Sequence, residues 1–286
     1  MRSKRRSSTR YSLRTRLCRR ADERLMPCRW MRYPQRAQVS EVSTYDGPRK
    51  RIVGVLGGMG PLATADFLSK VIQRTEVATE ADHLPLAIWS NPEIPDRTRA
   101  LLGVGPSPVP AMTDGVTRLL EMGASAIAIP CNTAHAFVPE LEATTRATFL
   151  NMIDVAVDHV VRNHPGTRRV GVLGTRGTRL AGLYAKACAA RDLDVIDVPD
   201  DLQHLYVDVA IRQVKTGGDR RCATALVGQA AATLAMQGAD VAIAACTEIP
   251  LVAQAAAKVL PVVDATDCLA AALVAYCKPG TNRVRA

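Results

Sequence analysis

The sequence contains no apolar run long enough to form a membrane-spanning helix. Its longest apolar region, residues 241–260, is interrupted by Glu248, Pro250 and Lys258. The N-terminal residues contain no apolar stretch of the length found in secretory signal peptides. Because neither feature of a membrane or exported protein is present, we expect a cytoplasmic protein with no membrane partner.

The sequence also has no Cys-x-x-Cys pair and no cluster of cysteine and histidine with the spacing of a zinc site. Eight cysteines are present. Without an export signal, we expect them to be free thiols in a reducing compartment. We therefore expect neither a bound metal nor a framework of disulfides.

Beyond its N-terminal segment the chain has no excess of positive charge. The formal net charge is +10, but residues 1–51 carry 16 Lys and Arg against 4 Asp and Glu. The remainder is slightly acidic, so we expect no nucleic-acid partner. Residues 1–48 are rich in Arg and Ser and are predicted to be disordered. An organellar transit peptide, a later translation start at Met26 or Met31, and an arm that binds polyanions remain alternatives.

The rest of the chain alternates short apolar strands with helices, and it does so twice. The segment Val170-Gly-Val-Leu-Gly repeats Val53-Gly-Val-Leu-Gly 117 residues later. The first half is predicted to contain four strands, at 51–57, 84–89, 125–130 and 149–153, with a long loop at 90–110. The second half is predicted to contain helices at 178–190, 201–216, 220–236 and 266–277, and strands at 193–198 and 260–263 beside those at Val170 and before Cys246.

Alternation of this kind predicts an α/β fold with two pseudo-symmetric domains, each a parallel sheet flanked by helices. We assign residues 49–155 and 258–280 to the first domain and 156–257 to the second. Ligands of such sheets bind beyond the carboxyl ends of the strands. We therefore expect an active site in the cleft between the domains.

Two cysteines end matching strands of the two halves. Cys131 follows Gly123-Ala-Ser-Ala-Ile-Ala-Ile-Pro, and Cys246 follows Gly238-Ala-Asp-Val-Ala-Ile-Ala-Ala. A single buried cysteine is usually a small apolar core residue. We interpret four others in this way: Cys188, Cys222, Cys268 and Cys277. Packing alone gives no reason for both halves to keep cysteine at one position, so the repeat favours a shared function.

Two facing thiols can invert a stereocentre. A thiolate on one side of a carbon removes its proton, and a thiol on the other side returns one. Each sulfur must then lie within about 3.5 Å of the reacting carbon, which places the sulfurs roughly 7 Å apart. A predicted helix start after each cysteine would stabilise the thiolate. This geometry requires no cofactor, and a disulfide between Cys131 and Cys246 is disfavoured by the reducing compartment.

Four motifs in order resemble the aspartate/glutamate racemase family, specifically its aspartate racemase branch. They are Gly57-Gly-Met-Gly-Pro61, Ile94-Pro-Asp-Arg-Thr98, Pro130-Cys-Asn-Thr-Ala-His135 and Cys246-Thr-Glu-Ile-Pro250. The resemblance covers about residues 51–278. Glutamate racemases typically carry His after the second Cys-Thr, whereas this chain has Glu248. It also has Ala245 where the family usually has Gly.

The resemblance implies a cofactor-independent racemase of aspartate, or of glutamate, with Cys131 and Cys246 as the acid/base pair. It implies that the partner is a small acidic amino acid, and it allows a homodimer. The substrate-binding residues that it implies are Met59, Arg97, Asn132, Thr133, Thr175, Thr178, Lys215, Thr247 and Glu248. Arg97 and Lys215 would supply the positive charge that a dicarboxylate needs. Thr175 and Thr178 would contact the substrate or cap the next helix.

Other functions remain open at this stage. Gly58-Met-Gly-Pro-Leu-Ala63 fits a dinucleotide-binding turn, but the second strand ends in Trp89-Ser90-Asn91 rather than in the acidic residue that holds a ribose. Paired cysteines also occur in hydantoin racemases and maleate isomerases of the same superfamily. An amino-acid-binding module without catalytic activity is the alternative outside the enzymes.

Overall fold

The computed structural model describes residues 50–278 as two four-stranded sheets with helices around them. The predictions for residues 1–48 and for 279–280 lie outside this range. The first sheet contains β1 (Ile52–Gly57), β2 (Leu86–Ser90), β3 (Ala124–Ala128) and β4 (Phe149–Leu150), in the order β2-β1-β3-β4. The second contains β5 (Arg169–Val172), β6 (Asp194–Asp197), β7 (Val241–Ala244) and β8 (Val262–Asp264), in the order β6-β5-β7-β8.

Every strand pair in both sheets is parallel. The two strand orders become identical when β5 to β8 replace β1 to β4. The predicted α/β class, with two pseudo-symmetric parallel sheets, is therefore confirmed. The strands are short apolar runs, as expected where helices cover both faces of a sheet.

Eleven α-helices connect these strands within the described residues. They are α1 (Pro61–Arg74), α2 (Arg97–Leu101), α3 (Val109–Glu121), α4 (Val138–Thr145), α5 (Met152–Asn163), α6 (Arg176–Leu180), α7 (Leu183–Ala189), α8 (Asp200–Leu202), α9 (Val209–Lys215), α10 (Arg220–Met236) and α11 (Ala265–Cys277). A π-helical segment, Gln203–Asp208, joins α8 to α9 and makes one continuous helix of them. Side chains of Asn151, Asp219 and Asp264 cap α5, α10 and α11.

Three buried apolar clusters hold these layers together. One lies within the first half around Leu56 and Met112. A second lies within the second half around Val227 and Ala244. The third is shared, because it joins β1 and α1 to β5, α7 and α11. The shared cluster makes the two halves one continuous apolar core.

The final helix crosses from the second half to the first. Strand β8 pairs with β7 and so belongs to the second sheet, whereas α11 packs against α1 and α5. The sequence placed all of residues 258–280 with the first domain. Pairing of β8 differs from that assignment, while α11 contacts one helix of the predicted first domain, α1, and one that lies mostly in the predicted second domain, α5. The remaining domain boundaries stay a prediction.

The predicted loop at 90–110 contains a helix. Asp96 accepts a hydrogen bond from the Arg99 amide at 2.8 Å and so starts α2 at Arg97. The predicted helix at 178–190 is divided into α6 and α7, because Gly182 adopts a φ of 62° between them. The predicted strand at 149–153 ends at Leu150, and Asn151 caps α5 instead.

The α-helix predicted after Cys131 begins later than expected, because a 3₁₀ turn, Thr133–Phe137, precedes α4. The helix predicted after Cys246 is wrong, since only short 3₁₀ turns, Pro250–Val252 and Ala256–Lys258, follow this residue. Proline explains the second difference. Pro250 has no amide proton for the Cys246 carbonyl, which accepts from the Ile249 amide at 2.9 Å instead.

No helix between residues 50 and 278 combines the length and the apolarity needed to cross a membrane.

Candidate active site

The carboxyl ends of the strands carry the predicted site residues. Met59 follows β1, Cys131 follows β3, Thr175 follows β5 and Cys246 follows β7. Side chains from both halves line one small cavity there. Its lining residues are Met59, Asp96, Arg97, Thr98, Cys131, Asn132, Thr133, Thr175, Lys215, Cys246, Thr247 and Glu248. The structure therefore brings together all but one of the predicted site residues, and the exception, Thr178, contacts two of them through its hydroxyl.

The turn after β1 passes very close to the end of β2. Gly58 has a φ of 92°, and a Cβ atom there would lie 2.4 Å from the carbonyl carbon of Asn91. Only glycine fits such a turn without strain. The Gly57-Gly-Met-Gly-Pro61 motif is thereby explained as a tight turn that places Met59 in the wall of the cavity.

Cys131 is buried, with an exposed fraction of 6%, and His135 holds its backbone. The Nδ1 atom of His135 lies 3.0 Å from the Cys131 carbonyl oxygen, and its Nε2 accepts from the Met152 amide at 3.1 Å. Since Nε2 is an acceptor, the ring carries its proton on Nδ1 and is neutral. Burial also lowers the pKa of His135. His135 is therefore a structural support for Cys131, not an acid or base.

Cys246 is equally buried, and its thiol has a carboxylate partner. The Sγ of Cys246 donates to Oε2 of Glu248 at 3.0 Å, and Glu248 has an exposed fraction of only 2%. Burial raises the pKa of the Cys246 thiol well above its ordinary value, and the negative charge of Glu248 raises it further. The predicted stabilisation of a thiolate by a following helix is therefore wrong for Cys246, which is held as a thiol.

Two cations lie beside the thiols. Arg97 is buried and donates to backbone carbonyls of Ile94, Pro95 and Met59, each at 3.0 Å. Its Nε has no hydrogen-bond partner within residues 50–278. Lys215 ends α9 at the edge of the cavity. Lys215 is exposed along part of its side chain. Partial loss of water around its ammonium group lowers the pKa of Lys215, but attraction from Glu248 outweighs this effect, and the net pKa is raised.

Three threonine hydroxyls form a ring between the two halves. Oγ1 of Thr133 lies 2.8 Å from that of Thr175 and 2.9 Å from that of Thr178, and the last two are 3.1 Å apart. Each hydroxyl has one proton, so a closed ring uses all three protons internally. A ligand that accepts a hydrogen bond from these threonines must first open the ring. Thr175 also caps α6, as expected.

Asn132 presents one end of its amide to the cavity. Its Oδ1 accepts from the hydroxyl of Tyr184 at 2.6 Å. Its Nδ2 is buried and has no partner in the described part of the chain. No sequence pattern indicated Tyr184, because this residue lies in α7, distant from every motif. Asp96 and Thr98 were also missed as lining residues, although both belong to the Ile94–Thr98 motif.

The cavity is nearly closed. Its volume of about 10 Å³ accommodates roughly one water molecule. An adjoining chamber of about 310 Å³ shares with it Met59, Asp96, Arg97, Lys215 and Glu248. An amino acid can therefore approach the thiols through this chamber, but the inner cavity must widen to hold its α-carbon between them.

The site offers anion-binding groups rather than a metal site. Within residues 50–278, no group of three or more His, Cys, Asp or Glu side chains is arranged to hold a metal ion. The acidic residue that a dinucleotide-binding turn requires is also missing at the end of β2, where Ser90 stands. The cavity supplies two thiols, two cations, an amide donor and threonine hydroxyls, together with the carboxyl groups of Asp96 and Glu248.

Comparison with known proteins identifies the family of this chain. The family model described as Asp/Glu/Hydantoin racemase matches residues 56–273. The chain belongs to this racemase family. Membership supports racemase activity, which is an isomerase activity, for this chain.

Relatives within the racemase family cover most of this chain. Among solved structures, the aspartate racemase of Picrophilus torridus is similar with a TM-score of 0.70 and 31% identity, over 79% of this chain and 94% of that one. The broad specificity amino-acid racemase RacX of Bacillus subtilis is 28% identical, over 78% of this chain and 96% of its own length. A glutamate racemase from Francisella tularensis, solved with D-glutamate, shares the fold with a TM-score of 0.60 and 16% identity, over 79% of this chain and 80% of that one.

Proposed function

We propose that this racemase interconverts L- and D-aspartate without a cofactor, with Cys131 and Cys246 as its acid/base pair. One observation carries the proposal: thiols from matching strand ends of the two halves line the same cavity, beside Arg97 and Lys215. A thiol on each side and cations at the edge suit the deprotonation of an acidic amino acid.

The reaction requires one proton to leave each substrate molecule and one to return. The thiolate of one cysteine takes the α-proton, and the electron pair moves into the α-carboxylate. The other cysteine then gives its thiol proton to the opposite face of the α-carbon. Positive charge from Arg97 and Lys215 stabilises the carbanion most at the transition state, where negative charge accumulates on the carboxylate.

Glu248 makes the two cysteines unequal in the enzyme before substrate binds. Because Glu248 accepts a hydrogen bond from the Cys246 thiol, Cys246 keeps its proton in the empty enzyme and is the acid, and Cys131 must act as the base in the first turnover. In the reverse direction Cys246 must lose its proton before the substrate reacts. The two directions therefore begin from different protonation states of the pair.

The test uses purified protein, L-aspartate and deuterated water, with no added cofactor. The proposal predicts D-aspartate that carries deuterium at the α-carbon, detected by chiral chromatography and mass analysis. Exchange with glutamate or a hydantoin but not with aspartate would replace the substrate and keep the mechanism. Absence of exchange with all three would contradict the proposal and favour a binding module without activity.

The adjoining chamber favours a second candidate, a racemase that accepts several amino acids. Much of its wall is apolar, and it includes Leu62, Pro92, Ile94 and Val214. Such a wall accommodates side chains larger and less polar than that of aspartate. The relative from Bacillus subtilis, whose name records broad specificity, supports the same candidate.

Comparison of kcat/KM for aspartate and methionine separates the two candidates. A site specific for aspartate should favour it by more than about a hundredfold, because methionine leaves a buried cation without its partner. A site of broad specificity should accept both within roughly tenfold, since an apolar wall discriminates weakly between side chains. Protein carrying Cys131→Ala provides the background rate for both substrates.

Replacement of Lys215 by methionine is expected to raise KM for aspartate about tenfold, because the apolar stem remains while the charge that pairs with a carboxylate is lost. The pKa of Cys246 should rise further, since Lys215 lowers it. Steady-state kinetics at several pH values measures both effects. Lys258→Met removes an exposed charge outside the cavity and is the matched control. An unchanged KM in Lys215→Met would contradict the role of this lysine.

A further inference from the structure

We infer that Tyr184 is a positioning residue, which fixes the Asn132 amide so that its NH₂ group binds the substrate α-carboxylate. The inference rests on the proposed function, and it deepens that proposal in one respect. The sequence left open whether Asn132 binds the carboxylate or the ammonium group of the substrate. The Tyr184–Asn132 pair decides between them.

Tyr184 is the hydrogen-bond donor of this pair, and the Asn132 side-chain oxygen is the acceptor. Tyr184 is almost fully buried, and burial raises the pKa of its phenol well above the ordinary value. The phenol is therefore neutral, and its proton is directed at Oδ1 of Asn132 at 2.6 Å. A hydrogen bond of this length between two buried groups restricts rotation of the amide.

Occupation of Oδ1 determines what Asn132 can bind. An ammonium group needs an acceptor, and Oδ1 already accepts the Tyr184 hydroxyl through one of its two lone pairs. The Nδ2 atom carries two protons, is buried, and has no partner among residues 50–278, while Asn132 lines the same cavity as the two cysteines. A buried donor without a partner needs an acceptor from the ligand, and the acceptor common to every amino acid substrate is the α-carboxylate.

The opposite orientation of the amide would be unfavourable. If Oδ1 faced the cavity, its lone pairs would repel the incoming carboxylate. The NH₂ group would then donate to the phenol oxygen, and the Tyr184 proton would lose the only acceptor that the described residues offer it. The hydroxyl of Tyr184 therefore disfavours the opposite orientation. The tyrosine comes from the second half and the asparagine from the first, so this orientation is set only when the two halves are together.

Negative charge on the carboxylate grows as the α-proton leaves. A donor held on that carboxylate therefore stabilises the transition state more than the bound substrate, and its loss lowers kcat rather than only raising KM. We expect Tyr184→Phe to lower kcat/KM for aspartate about tenfold, mainly through kcat, because the ring still packs while one orienting hydrogen bond is lost.

A double-mutant cycle tests the inference. Asn132→Ala should lower kcat/KM more than Tyr184→Phe does, and the double variant should be no slower than Asn132→Ala alone, because Tyr184 acts through Asn132. Tyr206→Phe is the matched control, since Tyr206 is a partly buried tyrosine whose hydroxyl has no hydrogen bond to the described residues. Circular dichroism and thermal unfolding of each variant separate misfolding from loss of function.

The outcomes distinguish failure of the inference from failure of the proposed function. If the unmodified protein racemises aspartate and Tyr184→Phe stays within twofold of it, Tyr184 does not position Asn132. If the losses of the two single variants multiply in the double variant, the residues act independently and the inference is wrong. If the unmodified protein exchanges no α-hydrogen, the proposed function fails, and the inference fails with it.

Discussion

Replacing either Cys131 or Cys246 by alanine is expected to lower kcat for racemisation by about a thousandfold or more, because each removes one partner of the proton transfer. Both side chains line the small cavity, and alanine differs from cysteine only by the sulfur. Folding should be retained in both variants. Chiral chromatography after incubation with each enantiomer measures the loss.

Each single variant should retain a different part of the exchange reaction. The remaining cysteine can still remove a proton from the face that it contacts and return a solvent deuteron to that face. Cys131→Ala should therefore exchange the α-hydrogen of one enantiomer without inverting it, and Cys246→Ala should do so for the other enantiomer. Nuclear magnetic resonance in deuterated water, with each pure enantiomer, detects this exchange.

Removal of a thiol elsewhere provides the control. Cys222 was interpreted as a core residue, but it is exposed near the start of α10, and Cys222→Ala should racemise at the rate of the unmodified protein. Equal turnover in Cys131→Ala and in the unmodified protein would exclude the two-base mechanism. Exchange of both enantiomers by a single-cysteine variant would show that another group reaches the opposite face of the substrate.

Glu248→Gln is expected to lower the pKa of Cys246, because a neighbouring negative charge is removed. The sign follows from the geometry. Glu248 lies 3.0 Å from the thiol and disfavours the thiolate, while the positive charge of Lys215 remains. Burial, the largest cause of the raised pKa, is unchanged, so the pKa should fall without returning fully to its ordinary value.

Alkylation by iodoacetamide, analysed by peptide mass, measures this change. The midpoint of the pH dependence at Cys246 should move to lower pH, with Cys131 in the same molecule as the internal reference. Glu140→Gln removes an exposed carboxylate from α4 and should move neither midpoint. An unchanged Cys246 midpoint in Glu248→Gln would mean that burial alone raises this pKa.

The direction of catalysis should respond to the same substitution. At a pH below the pKa of Cys246, the unmodified enzyme holds this residue as a thiol, so the direction that uses Cys246 as the base is limited by its deprotonation. That limitation should be relieved as the pH rises. In Glu248→Gln the relief should begin at a lower pH, and the pH profiles of the two directions should become more alike.

The internal repeat made the sheets and the two cysteines predictable. The residues that lead to Cys131 and Cys246 match in the sequence, and parallel sheets place equivalent strand ends at equivalent edges. The pKa of Cys246 was not predictable in this way. It depends on burial and on the rotamer of Glu248, which a sequence pattern does not specify.

Local propensity also misled the prediction at several points. Alanine-rich residues after Cys246 favour a helix, but Pro250 prevents the hydrogen bond that a regular helix needs there. Tyr184 escaped prediction for a different reason. Its partner Asn132 is 52 residues away in the other half of the chain, and no local spacing relates the two.

The two halves contact each other through apolar side chains in the helical layer and through polar groups at the cavity, and this difference determines how the molecule can move. Side chains from both halves share an apolar core around α1, α5 and α11, and separating such surfaces exposes them to water at a high cost in free energy. At the cavity the halves meet through hydroxyls and amides, for which water or substrate is a ready replacement. Widening of the cavity should thus follow a hinge whose axis lies in the helical layer. Amide hydrogens of α11 should exchange slowly with solvent, and those of the short helix α2, beside the cavity, should exchange early.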